Sequence, residues 1–168
     1  MADKVYMEEN EVYQIDCSTA VWSTNQVYAQ YHASGVFLSD VDFVASTEDY
    51  IYLIEYKNAA VPNAIYPNKY QPQDAQNVDK IARKFYDSLH FLAISGKDKP
   101  TKYIFIVEYP SAGVTDRKML RNKIATKLPF KLQENKSKKI IKSFDVVSIS
   151  EWNLHAEYSR FPLTMVQQ

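Results

Sequence analysis

Two acids and a lysine carry the densest chemistry in this chain. Asp42 is followed, after twelve intervening residues, by Glu55-Tyr56-Lys57. Both positions lie in runs that read as β-strand. These are residues 36–45 (VFLSDVDFVA) and 50–57 (YIYLIEYK), the second nearly continuous in β-branched and aromatic residues, as in a strand buried on both faces. The polar residues 46–49 make an antiparallel hairpin the simplest connection. Opposed residues in such a pair have numbers of constant sum, and a turn at Glu48-Asp49 sets that sum at 97. Asp42 then faces Glu55, Asp40 faces Lys57, and strand alternation puts all four on one face. Opposed Cβ atoms lie about 4.5–5.5 Å apart, so the two carboxylates repel unless a cation stands between them. A hard divalent ion, Mg²⁺ or Mn²⁺, held by one or two carboxylates and several waters, meets that need. Such an ion acidifies water and polarises a phosphoryl group, while the Lys57 ammonium can orient the water or stabilise charge on a phosphate oxygen. The plainer alternative pairs Lys57 with Asp40 or Glu55 at a sheet edge, worth ~0–1 kcal/mol when exposed. Against it, an acid and a lysine are costly to place in a central strand without a role.

The elements that must position these residues follow from periodicity. Residues 11–15 read as a short strand. Ser18 or Thr19 can cap a helix to about residue 32, although the β-branched and aromatic content there also permits a hairpin. Residues 58–72, with three prolines, read as a connecting loop. Val78, Ile81, Ala82, Phe85, Leu89 and Leu92 build one apolar stripe, which predicts a helix over 72–94 stopped by Gly96. A strand is expected over 102–109, a helix from Thr115 or Asp116 to Leu128, a loop over 131–142, a strand over 144–149 and a last short helix near Ser150. The expectation is a single α/β domain with a central mixed β-sheet of about four strands flanked by helices.

Charge is balanced overall, 20 basic residues against 20 acidic, but unevenly distributed. Residues 1–60 carry a net charge of −8, and residues 116–142 carry +8. Such asymmetry points to a polyanionic partner or an acidic metal site, or else to a solvated face. Arg117, Arg121, Lys123 and Lys127 of the basic stretch, with Lys136, Lys138 and Lys139, are candidates to grip phosphates beside a scissile bond, giving affinity without sequence specificity. The single cysteine, Cys17, fits a reducing, cytoplasmic setting and a buried inert thiol. No apolar run approaches the ~18 residues of a membrane span. Three glycines leave no phosphate-binding loop, Ser111-Ala112-Gly113 reads as a turn, and His32, His90 and His155 share no ligand spacing.

The D-x12-E-x-K pattern across two adjacent strands, with the ending LIEYKN, resembles the PD-(D/E)xK nuclease superfamily, the restriction-endonuclease-like fold. That resemblance covers about residues 18–150 and implies a helix, a three-stranded meander, a helix and a further strand. It implies Asp42 and Glu55 as metal ligands, the Tyr56 carbonyl as a backbone ligand and Lys57 as the catalytic lysine. Asp40 competes for the aspartate role, and Val41 stands where the family often has proline. A glutamate often comes from the first helix, but the nearby acids, Glu8, Glu9, Glu11 and Asp16, precede it. Gln76 and Lys80, off the apolar stripe, are candidates for the further polar residue of the following helix. The expected function is therefore a metal-dependent endonuclease acting on DNA, with a homodimer as one way to cut both strands. The rival is a non-catalytic nucleic-acid-binding or protein-interaction domain that keeps a vestigial nuclease fold.

Overall fold

The computed structural model describes residues 3–61 and 69–167. In chain order the elements are β1 (Val5–Met7), β2 (Tyr13–Asp16), β3 (Trp22–Thr24), α1 (Val27–Ser34), β4 (Phe43–Ser46), β5 (Ile51–Asn58) and α2 (Ala75–Ile94). They continue with β6 (Thr101–Glu108), α3 (Val114–Ala125), α4 (Phe130–Gln133), β7 (Ile141–Val147), α5 (Ile149–Leu154), a 3-10 turn (Tyr158–Arg160) and β8 (Leu163–Met165). Among the described residues no helix is long and apolar enough to cross a membrane.

The main sheet is mixed and has five strands in the order β3-β4-β5-β6-β7. β3, β4 and β5 are antiparallel neighbours, whereas β6 and β7 run parallel to β5. The parallel steps require crossovers, which α2 and α3 supply. Each face of the sheet collects one parity of side chains. Val44, Leu53, Tyr103 and Phe105 pack with Ile81 and Phe85 of α2 and Leu120 and Ile124 of α3. Phe43, Tyr52, Ile54 and Ile104 pack on the other side with Ile15, Trp152, Phe161 and Leu163. Strands β5 and β6 are thus covered on both faces, which is why their sequences are nearly unbroken apolar runs.

The hairpin register agrees with the expected arithmetic. Phe43 faces Ile54, Val44 faces Leu53, Ala45 faces Tyr52 and Ser46 faces Ile51. The strand itself is shorter than the 36–45 expected. Residues 39–41 are drawn to α2 instead: the Ser39 N–H donates to Asp87 Oδ2 at 2.8 Å, and the Val41 N–H donates to the buried Ser88 Oγ at 3.1 Å. Donors spent on a helix cannot enter a ladder, so Asp40 leaves the hairpin and does not face Lys57.

Other departures have equally local causes. The helix expected over 18–32 divides into β3 and α1. The Asp16 carboxylate accepts from the Ser18 N–H at 2.8 Å and Thr24 Oγ1 accepts from the Gln26 N–H at 3.0 Å, so one turn precedes β3 and another follows it. Gly35, at φ +69°, ends α1 in the left-handed region that glycine adopts without strain. The central sheet has five strands rather than four because β3 joins its edge. A second sheet, β1-β2-β8, closes the face opposite α2. β7 begins at Ile141, earlier than 144, because the Thr101 N–H of β6 donates to Ile140 O at 2.8 Å and Thr101 pairs with Ile141. The Gln133 side chain covers the outer edge there, accepting from the Ile140 and Ile141 N–H groups and donating to Ile141 O. The loop expected over 58–72 lies in part outside the described residues.

Candidate functional site

The site forms where β4 ends and β5 continues. Beyond Phe43 there is no ladder partner for the next stretch of β5, and a side chain takes the place of one: the Tyr56 N–H donates to Asp42 Oδ2 at 2.8 Å. In an extended strand a residue's N–H and C=O point to the same side, so the Tyr56 carbonyl is also directed past the end of β4. Glu55, with the parity of Leu53, projects toward α2. There it meets Lys84, whose ammonium lies 2.6 Å from Glu55 Oε1. Glu55 is 5% exposed, and its second oxygen, Oε2, is buried without a hydrogen-bond partner among the described residues.

Electrostatics at this point are strained. Burial, then the neighbouring Asp42 charge, pushes the Glu55 carboxyl well above the ordinary glutamate range, despite the opposing pull of Lys84. Burial also raises Asp42, opposed by the Lys84 charge and by the Tyr56 N–H. A buried carboxyl beside a second carboxylate favours a proton or a cation at that point. Burial works to lower Lys84, but Glu55, Asp42 and Asp40 together keep it raised and therefore charged.

A cleft of about 280 Å³ opens on this group, lined by Asp42, Glu55, Tyr56 and Lys57 from the strands, Asn77, Lys80 and Lys84 from α2, and Tyr70 and Glu9. Lys57 is exposed, with its ammonium 5.7 Å from the centre of the Tyr70 ring. Asp42, Glu55, Tyr56 and Lys57 therefore share one cleft. Asp40 lines instead an adjoining cavity of about 470 Å³, which has Glu9, Asp42 and Lys84 in common with the first.

Two contributors differ from those the sequence suggested. Of Gln76 and Lys80, only Lys80 lines the cleft, and the residue that touches Glu55 is Lys84. Lys84 lies one turn beyond Lys80 on the same side of α2. A helix side chain that reaches a strand carboxylate must stand at the margin of the stripe, and Lys84 sits between Ile81 and Phe85. Glu9 arrives from the β1–β2 turn, where the buried Glu8 carboxylate accepts from the Asn10, Val12 and Tyr13 N–H groups. Nothing in the local sequence links that turn to residue 42.

The basic stretch is not gathered at the cleft. Arg117 is buried and its guanidinium is committed to Glu151, with Nε to Oε2 at 3.0 Å and Nη2 to Oε1 at 2.7 Å, and to Ala112 O at 3.2 Å. Its position corrects the expectation of a phosphate-facing side chain. Arg121 donates to Phe144 O at 3.1 Å on the sheet edge. Lys123 reaches Gln73 O at 3.4 Å, and Lys127 pairs with Asp79 at 2.8 Å. At about 100° per residue, Asp79 lies about 100–160° around α2 from Asn77, Lys80 and Lys84, on a different face of that helix. A cavity of about 470 Å³ beside α3, lined in part by Arg121 and Lys131, holds no carboxylate.

The donors around Asp42 are oxygens, and the orphaned Glu55 Oε2 is the feature that a hard divalent cation would satisfy. Among the described residues no three His, Cys, Asp or Glu side chains converge; a cation held by Asp42 and Glu55 would complete its shell with water. Comparison with known families, curated proteins and solved structures finds no match to this chain in any of the three.

Proposed function

We propose that the chain is a metal-dependent nuclease that hydrolyses phosphodiester bonds, with DNA as the substrate implied by the PD-(D/E)xK resemblance. The observation that carries this reading is Glu55: a buried carboxylate with one unsatisfied oxygen, set beside Asp42 in the cleft that Lys57 enters. The order of elements supports a restriction-endonuclease-like fold, since antiparallel β3-β4-β5 is followed by α2 and a parallel β6. The departure is α1, which lies between β3 and β4 rather than ahead of them.

In this reading Asp42, Glu55 and the Tyr56 carbonyl hold Mg²⁺ or Mn²⁺. The ion, when bound, supplies an acidified water and polarises the phosphoryl group. The chain's own residues do the positioning. Asp42 is held at the end of β4 by the Tyr56 N–H, which orients its carboxylate. Lys57, exposed at the cleft with no ion pair among the described residues, can place its ammonium against a phosphate oxygen as charge develops there. Lys80 adds a second cation on the α2 side, and the Tyr70 face can stack on a base.

The rival, a non-catalytic binding domain, is favoured by one observation: Lys84 already neutralises Glu55. Cleavage of plasmid and single-stranded DNA with Mg²⁺, Mn²⁺ or EDTA decides between them. Metal-dependent cutting that disappears in Glu55→Ala and Lys57→Ala is expected. Cutting without metal, or cutting that survives both substitutions, sinks the mechanism. DNA binding without cutting by the wild-type protein selects the rival.

A further inference from the structure

Lys84 stands in the wall between two cavities. On one side it is paired with Glu55, 2.6 Å away, in the cleft that also holds Asp42 and Lys57. On the other it lines the larger cavity with Asp40 and Glu9. Asp40, Asp42 and Glu55 all act on its charge, and its side chain is 17% exposed, so the ammonium is enclosed but not sealed in. Meanwhile Glu55 Oε2 lacks a donor among the described residues, so one ammonium there does not saturate the carboxylate pair. A lysine is a compact point charge on a flexible four-carbon stem. It can fill a cation's position and leave it.

We propose that Lys84 is an exchangeable internal counter-ion: its ammonium holds the cation position at Glu55 until a divalent ion displaces it, whereupon it moves to Asp40 in the adjoining cavity. This rests on the reading of Asp42 and Glu55 as cation ligands. No bond is made or broken in the exchange; one cation replaces another beside the same carboxylates, and the lysine keeps its proton. The consequence is that the pair is not left as two bare charges in the absence of metal, while cation affinity is reduced by the energy needed to dislodge Lys84. Asp40, which does not share the cleft with Lys57, acquires a role as the second resting place.

Calorimetric titration with Mn²⁺ alone tests this on the full chain. Lys84→Met, once shown to be folded by circular dichroism, is expected to bind Mn²⁺ about tenfold or more tightly than wild type, because a nearby unit charge of the same sign is gone. Asp40→Asn is expected to bind a few-fold more weakly, and Glu55→Gln not to bind. Equal or weaker binding by folded Lys84→Met, with wild type binding and Glu55→Gln silent, overturns the exchange and leaves the cation site standing. No binding by either wild type or Lys84→Met removes the cation site, and the exchange with it. If Lys84→Met does not fold, the ¹⁵N signal of the Lys84 ammonium in wild type decides: a shift on adding Mg²⁺ supports displacement, and an unchanged signal at saturation overturns it.

Discussion

Two carboxylate–cation pairs bracket the main sheet, and they are built to opposite ends. Glu151 receives Arg117 in a two-point contact, also caps the start of α5 by accepting from the Ser148 N–H, and stays partly in water. Its carboxyl is held below the ordinary range, chiefly by the Arg117 hydrogen bonds. Glu55 receives Lys84 at a single point, is buried, keeps an unsatisfied oxygen and lies beside a second carboxylate. Its carboxyl is pushed up. A planar fork that matches a carboxylate fastens α3 to α5, whereas a single ammonium leaves Glu55 Oε2 without a donor among the described residues. Ion pairing alone does not distinguish a joint from a site; unspent hydrogen-bonding capacity does.

The comparison can be broken most forcefully by chemistry. Glu55→Gln and Lys57→Ala are expected to lower metal-dependent DNA cleavage by about a hundredfold or more, whereas Arg117→Ala leaves cleavage per folded molecule near wild type. Initial rates on supercoiled plasmid measure this, and equal losses in the two regions would erase the distinction.

Stability should sort the other way. Arg117→Ala removes a buried guanidinium and strands Glu151 and a backbone carbonyl; after discounting for the exposure of Glu151, about 2 kcal/mol is lost. For a chain of this length that lowers Tm by roughly 4–8 °C, which a thermal melt resolves.

A subtler test uses pH. Glu55 binds its proton more tightly folded than unfolded, so its contribution is most favourable below the ordinary glutamate range and is lost as pH rises through its raised value. Glu151 does the reverse: its contribution is present above that range and is lost as pH falls through its lowered value. Melts across acidic to neutral pH should therefore find Glu55→Gln increasingly more stable than wild type as pH rises. Glu151→Gln should be less stable than wild type near neutrality, converging with it in acid. Parallel curves for the two variants would contradict the contrast.

The smallest effect belongs to the exposed pair between Lys127 and Asp79. Lys127→Ala should change stability by no more than about 0.5 kcal/mol, as judged from urea midpoints.

How far the sequence reaches depends on how local the cause is. The 97-sum register of β4 and β5 was legible because alternation and a short polar turn act within a few residues, and parity carried Asp42 and Glu55 to one face. The α2 stripe was legible for the same reason. Residues 39–41 read as strand, but the Ser39 and Val41 donors go to Asp87 and Ser88, nearly fifty residues away. Lys84 and Glu9 were not singled out for the cleft because helix rotation and the packing of a distant turn place them. Arg117 read as a phosphate ligand until its partner, Glu151, came from a different helix.

One tie across the whole chain has a consequence for biosynthesis. Strand β2 pairs with β8, and the Val166 N–H donates to Val12 O, so the β1–β2 turn bearing Glu9 is anchored by residues made late. A lone two-stranded hairpin is marginal in water. As the chain emerges from the ribosome amino end first, the hairpin waits for residues 163–165 before it has its third strand. Strands β4 and β5 are made earlier, whereas the β2 end of the Glu9 turn lacks its β8 partner until then. A nascent chain therefore carries an incomplete, open-walled version of the site until synthesis has passed β8.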